Sequence, residues 1–268
     1  MSPLHLVILT FAIVCAACWV LSLITGDTSW VDRIWSIVPA IYLWEYAAKA
    51  GLNNARLNVM AVIVTVWAAR LTFNFARRGG YTGMEDYRWQ VLRDGMKKWQ
   101  FFLFNIFFIV LYQNFLLVLI SLPAQAAYEV PNKAMGTIDY LLAALFLAFT
   151  IGEFIADQNQ WDFHKWKAAE IAAGRTPNPR FATNGLFKYS RHPNYFFEVG
   201  QWWILYLIGA YALGTSIHWT IIGAILLAIL FAGSTRFTEQ ITLSKYPEYA
   251  ERQKSVPAVI PWKILTRE

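Results

Sequence analysis

Long apolar runs separated by polar stretches set the pattern of this chain. The runs cover roughly residues 4 to 24, 31 to 48, 57 to 75, 101 to 122, 137 to 156, 195 to 213 and 216 to 232. About 20 apolar residues at helical rise cross ~30 Å of hydrocarbon. The pattern therefore predicts an all-α integral membrane bundle of about seven transmembrane helices. The first run reads as a retained helix, because it is long, has no basic start and has no small-residue cleavage site before the next run. Pro123, Pro131, Pro177, Pro179 and Pro193 punctuate the loops, and Gly79, Gly80 and Gly83 end the third run. After Gly233 the helical periodicity is broken at Pro247 and the chain runs into the apolar VPAVIPW. This predicts C-terminal cytosolic helices and a tail that returns to the protein or membrane surface. No repeat is visible, and one domain over 1–268 is expected.

Composition supports the membrane reading: 57% of the 268 residues are hydrophobic and 15% charged, with a mean hydropathy of +0.38. Charge then orients the bundle. The polar stretches 76 to 100, 160 to 194 and 233 to 268 each hold six Lys or Arg residues, the last ending with Lys263 and Arg267. Seven spans put all three on one face, opposite Lys49, Arg56 and Lys133, and basic loops stay in the cytosol. The N-terminus is expected outside and the C-terminus in the cytosol. Topology accounts for the net charge of +6, so a nucleic-acid partner gains no support from it, and no obligate protein partner is implied.

Cys15 and Cys18, a CxxC inside the first run, read as small buried hydrophobes, and no His, Cys or carboxylate cluster has zinc-site spacing. Ionisable groups at membrane depth are expensive and mark candidate sites. They are Asp32, Arg33, Glu45, Arg70, Glu153, Asp157 and Glu198. Asp157 and Glu198 border the basic 160 to 194 stretch, where KYSRHPNYFFE runs directly into an apolar helix. The six cations there, with Asn178, Asn184, Tyr189, His192 and Asn194, suit a phosphorylated dinucleotide or anionic lipid head groups. Neither a GxGxxG after a strand nor a Walker pattern is present, so a nucleotide would bind between helices.

GLFKYSRHPNYFFE and KYPEYAERQKSVPAVIPW resemble the C-terminal region of the steroid 5-alpha-reductase family, while SWVDRIWSIVP and ARRGGYTGMEDYRW look like that family's uncharacterised membrane relatives. The resemblance implies NADPH as cofactor, a lipid or steroid substrate, and reduction of a carbon–carbon double bond. It divides the domain into substrate-side helices over 1–125 and a cofactor region over 137–268. It implies cofactor contacts by Asn194 and Glu198, by Arg180 on phosphate, by Tyr189 and His192 lining the pocket, and by Asp157, Lys165, Arg191, Tyr195, Arg236, Glu239 and Tyr246. Catalysis falls to Tyr87 and Glu45, with Asp32 and Arg33 as a second polar pair. The family's early Gln and Glu pair is matched most nearly by Trp44 and Glu45, with Trp in place of the Gln, while another register, matching Pro39, puts Ser36 and Ile37 at these positions. The alternatives are a membrane methyltransferase using S-adenosylmethionine, whose RHPxY stretch is met by Arg191, His192, Pro193 and Tyr195, and a non-catalytic lipid-binding protein.

Overall fold

The computed structural model describes residues 1–261, so Trp262, Lys263 and Arg267 lie outside the described residues. Helix α1 covers Pro3–Thr25. Ser2 caps it by accepting the His5 N–H, Pro3 stands where a missing N–H costs nothing, and Gly26, at φ 68°, ends it by donating to the Ser22 carbonyl. The run at 31 to 48 does not form one span. It folds as α2, Trp30–Ile34, and α3, Val38–Lys49. Pro39 explains the break: it cannot donate to the Trp35 carbonyl, and its ring crowds the preceding turn. Twelve helical residues in α3 fall short of the ~20 that a span needs.

Helix α4, Ala55–Arg77, is capped by the Asn54 side chain. A short α5, Tyr87–Asp94, is capped by Asp86. The next span is composite, with α6 over Lys98–Phe104, a π-helical segment over Asn105–Tyr112, α7 over Gln113–Ser121 and α8 over Pro123–Tyr128. Then follow α9, Thr137–Ala172, a 3₁₀ turn at Gly185–Lys188, α10, Pro193–Leu213, α11, Ile221–Lys245, and α12, Tyr249–Ser255. Among the described residues six helices are long and apolar enough to cross a membrane: α1, α4, α6 to α8 taken together, α9, α10 and α11. The protein is an all-helical, multi-pass membrane bundle.

Two of the polar stretches begin inside helices. With 36 residues α9 is about 54 Å long, well beyond the ~30 Å hydrocarbon layer, so the end that carries Asp162, Lys165 and Lys167 stands in water. Helix α11 likewise runs on through Arg236 and Glu239 to Lys245.

The chain forms two compact units, Met1–Leu147 with Trp202–Leu227, and Ala148–Gln201 with Ala228–Glu268. In unit 1, α3 packs against α4, and Tyr42, Leu43 and Tyr46 on α3 and Leu57, Met60, Val64 and Trp67 on α4 are all fully buried. Trp67 meets Trp202 edge-on at 4.8 Å. A buried ion pair joins Arg56 Nε to Asp139 Oδ1 at 2.7 Å, and the same guanidinium donates to the carbonyls of Lys133 and Ala134. Free Cys15 and Cys18 are packed into an apolar cluster with Ile109 and Val110. In unit 2, α9 and α10 approach closely through a reciprocal exchange: a Cβ on Gly152 would fall 2.4 Å from the Phe197 ring, and one on Gly200 2.3 Å from Phe149.

Candidate functional site

The α9–α10 contact places a polar layer inside apolar helices. Gln201, fully buried, accepts from Thr150 Oγ1 at 2.6 Å and donates to Glu153 Oε2 at 2.6 Å. Glu198 lies one turn before Gln201 on α10, and Asp157 one turn after Glu153 on α9, which runs antiparallel to it; residues three or four apart share a helix face. Glu153, Asp157 and Glu198 are each less than 5% exposed. Gln201 escaped sequence reasoning, although the spacing of Glu198 with Gln201 and of Glu153 with Asp157 carried the signal.

A second cluster ties the ends of the helices in unit 2 together. Glu239 on α11 accepts from Arg191 Nε at 2.6 Å and Nη2 at 2.9 Å, and from Gln253 Nε2 at 2.9 Å. His192 Nε2 lies 3.1 Å from it and Tyr249 donates to it at 3.4 Å. Burial, reinforced by the Glu239 charge, pushes the Tyr249 hydroxyl up to about 12. Arg191 Nη1 donates to the Gln253 and Val256 carbonyls, and the backbone N–H groups of Arg191 and His192 donate to Pro257 and Ala258 at 2.9 Å each. Ser190 adds bonds to Ala258 and Val259. The returning tail is thus seen up to Pro261, zipped against residues 190–192.

Around these clusters, Tyr246 lies between two cations, with Arg180 4.8 Å and Lys167 4.7 Å from its ring centroid. Lys167 also donates to the Arg180 carbonyl and the Tyr246 hydroxyl, and Arg180 makes a two-point pair with Glu248 at 2.6 Å. That bond holds the Glu248 carboxyl below its ordinary range. The Tyr195 ring stacks on His192 and meets Phe231 edge-on. Gly185, at φ 56°, lets Asn159 approach and accept the Leu186 N–H, since a Cβ there would fall 2.0 Å from Asn159 Oδ1. Lys165, Lys188 and Arg236 are exposed and have no hydrogen bond or ion pair among the described residues. Asn194 and Tyr189 are half-buried beside this sequence, in the first turn of α10 and after the 3₁₀ turn.

The cofactor candidates therefore separate. Asp157 and Glu198 belong to the buried layer. Arg191 and Glu239 are engaged with each other, so the phosphate role given to the cationic stretch does not extend to Arg191, four of whose five N–H groups are already bonded to the protein. Gln253 and Tyr249, which complete the Glu239 cluster, and Glu248, which pairs with Arg180, were not among the named candidates: KYPEYAERQKSVPAVIPW carried them only as part of a resemblance, and periodicity along a short helix does not name its partners.

The catalytic candidates, all in unit 1, do not converge. Asp32 accepts from Trp89 Nε1 at 2.7 Å, and Arg33 bonds Asp27 at 2.5 Å and the Gly80 carbonyl. Asp86 accepts from its own Arg88, and Glu85 ties Thr28 to Arg93. Burial, then the nearby Asp86 charge, pushes the Asp32 carboxyl up to about 6. Tyr87 opens α5 with its side chain 48% exposed. Glu45 bonds Thr10, whereas the Asp32 and Arg33 cluster gathers beyond Thr25; Thr10 and Thr25 are about 22 Å apart along α1. The grouping of Glu45 with Tyr87, Asp32 and Arg33 is corrected accordingly.

A family model described as a protein of unknown function, DUF1295, matches residues 18–256. An uncharacterized protein of Schizosaccharomyces pombe is 37% identical over 259 residues, covering 91% of this chain and 75% of the yeast protein. No solved structure matches. The family match overturns the assignment to the steroid 5-alpha-reductase family. Among the residues that carried that likeness, Arg191, His192, Gln253 and Pro257 bind unit 2 to itself.

Proposed function

The chain belongs to the DUF1295 family, and from that premise we propose a membrane-embedded enzyme that reduces a carbon–carbon double bond conjugated to a carbonyl in a lipid, with NADPH as reductant. One observation carries the reading: on α9 and α10 a buried layer of carboxylates and an amide lies within about two or three turns of water-facing cations. Lys165, Lys188 and Arg236 would hold the cofactor's phosphates, with Arg180 joining if a phosphate replaces its exposed partner Glu248. NADPH supplies a hydride when bound. Glu198 or Asp157 would hold the proton that the reduced lipid takes up. Gln201 orients Glu153 by its 2.6 Å bond, and the apolar helices exclude water, which strengthens any hydrogen bond to an oxygen gaining charge. By the positive-inside rule we assign the cationic ends to the cytosol.

A second reading, a methyltransferase using S-adenosylmethionine, is favoured by the neutralisation of Arg191 by Glu239, which lowers the positive charge offered to a polyphosphate. Thermal shifts of the detergent-purified protein with NADPH, NADH and S-adenosylmethionine separate the two. Stabilisation by NADPH that weakens in Lys188→Ala and Arg236→Ala supports the reductase. Stabilisation by the methyl donor alone replaces it with the second reading, and no stabilisation by any of the three removes both.

A further inference from the structure

Unit 1 holds a pocket of about 800 Å³ between α1, α3 and α4, within the roughly 300–1,000 Å³ typical of small-molecule sites. Ile41, Ala68 and Phe73 contribute apolar wall, and the small Ala69 leaves the hollow. Three polar side chains also line it. Thr65 is matched, donating to the Ala61 carbonyl and accepting from Trp44 Nε1, and Thr72 shares a 2.7 Å hydrogen bond with Ser36. Glu45 is matched on one oxygen only. Oε1 accepts from Thr10 at 2.5 Å, while Oε2 is buried and has no hydrogen-bond partner among the described residues.

The helices around this oxygen place it at membrane depth. Glu45 packs beside Thr10, about 10 Å into α1 from its start, and α1 and α4 are two of the apolar spans. Bulk water does not reach such a site, and an unmatched buried acceptor or carboxyl costs about 1–3 kcal/mol. The neighbouring Ile37, Ile41, Trp44 and Phe73 are each 38% exposed or more, so the pocket opens to the lipid side of unit 1. An occupant must therefore come from the bilayer, be apolar over most of its length, and bring one polar group to Glu45.

We propose that this pocket binds an uncharged bilayer amphiphile that carries a hydroxyl, which bonds Glu45 Oε2 once a turn of the carboxyl group brings that buried oxygen to the pocket surface. A hydroxyl is the group that fits in either protonation state of Glu45: it donates to a carboxylate and accepts from a carboxyl, whereas a ketone fits only the second and an ester-linked head group is too bulky for a single unmatched oxygen. All the lining residues belong to unit 1, so the proposal stands whether or not the chain binds a nucleotide.

The test uses the full chain in lipid nanodiscs and three photoreactive diazirine probes: a long-chain alcohol, the corresponding hydrocarbon, and the corresponding ketone. Labelled peptides are located by mass spectrometry. The alcohol is expected to label segments 37–48 and 65–73 about tenfold more than the hydrocarbon, as one buried hydrogen bond of about 1.4 kcal/mol requires. Glu45→Leu should reduce the alcohol to the level of the hydrocarbon. Ala69→Phe fills the hollow from an exposed position on α4, and should abolish labelling of these segments by all three probes. Equal labelling by alcohol and hydrocarbon, a preference for the ketone, or labelling that survives Ala69→Phe in protein of unchanged melting temperature would each overturn the proposal.

Discussion

Two carboxylates, Glu239 in unit 2 and Glu45 in unit 1, are built into their surroundings in opposite ways. Glu239 has partners on both oxygens: a two-point Arg191 fork, Gln253, Tyr249 and His192. Glu45 has Thr10 on one oxygen and, among the described residues, no hydrogen-bond partner on the other. The first arrangement spends every lone pair on holding segments 190–192 and 253–259 to α11. The second leaves an unmatched acceptor on a side chain that lines an apolar pocket. A buried charge that is fully bonded is architecture, while one that is half bonded is capacity for a ligand. Asp32 falls between them, with a Trp89 donor on one side and Asp86 close enough to oppose its charge.

The largest test of this contrast is Glu239→Ala. It strands the Arg191 guanidinium, whose side chain is 9% exposed, and should cost about 3–5 kcal/mol. Chemical unfolding in detergent measures it, and the Arg191→Met partner change should recover a large part of the loss. A loss under about 1 kcal/mol would remove Glu239 from the architecture.

Asp32 comes next and reads out in pH. Its carboxyl moves from 3.8 to about 6 on folding, so the native state binds the proton more tightly than the unfolded chain. Its contribution is fully present below pH 3.8 and is lost as pH rises to about 6, by roughly 2–3 kcal/mol at about 1.4 kcal/mol per unit. Melting temperatures across that window should fall more steeply in the wild type than in Asp32→Asn; parallel profiles would mean that Asp32 does not titrate with folding.

Gln201→Leu removes the donor from Glu153 Oε2 and the acceptor from Thr150, and should cost about 1–3 kcal/mol by the same unfolding measurement. The smallest effect is expected at Glu45→Leu, within about 1 kcal/mol, because only the Thr10 bond is lost and an unmatched oxygen is removed with it. A loss as large as that of Glu239→Ala would erase the distinction between the two carboxylates.

Much of the fold was legible before any coordinates. Apolar runs marked all six helices that are long enough to span among the described residues, since hydrocarbon thickness imposes a length that sequence alone can meet. The run at 31 to 48 misled because hydropathy does not register a missing N–H, and Pro39 splits it. At the site, Glu153, Asp157 and Glu198 stood out as ionisable groups in apolar surroundings, and they lie buried on facing helices. Tyr87, Glu45, Asp32 and Arg33 were grouped by chemistry, yet Glu45 lies far along α1 from the others.

The sequence by itself determined that this chain is a helical membrane protein with basic helix ends and a few buried carboxylates, because hydrophobic length and charge cost act residue by residue. Tertiary structure alone decided which charges are spent and which are available. Arg191 is consumed by Glu239, 48 residues away in the chain, and Glu45 keeps an unmatched oxygen because no donor among the described residues packs against it. Pairing between distant segments depends on how helices meet in space, and periodicity along one helix carries no record of its neighbour.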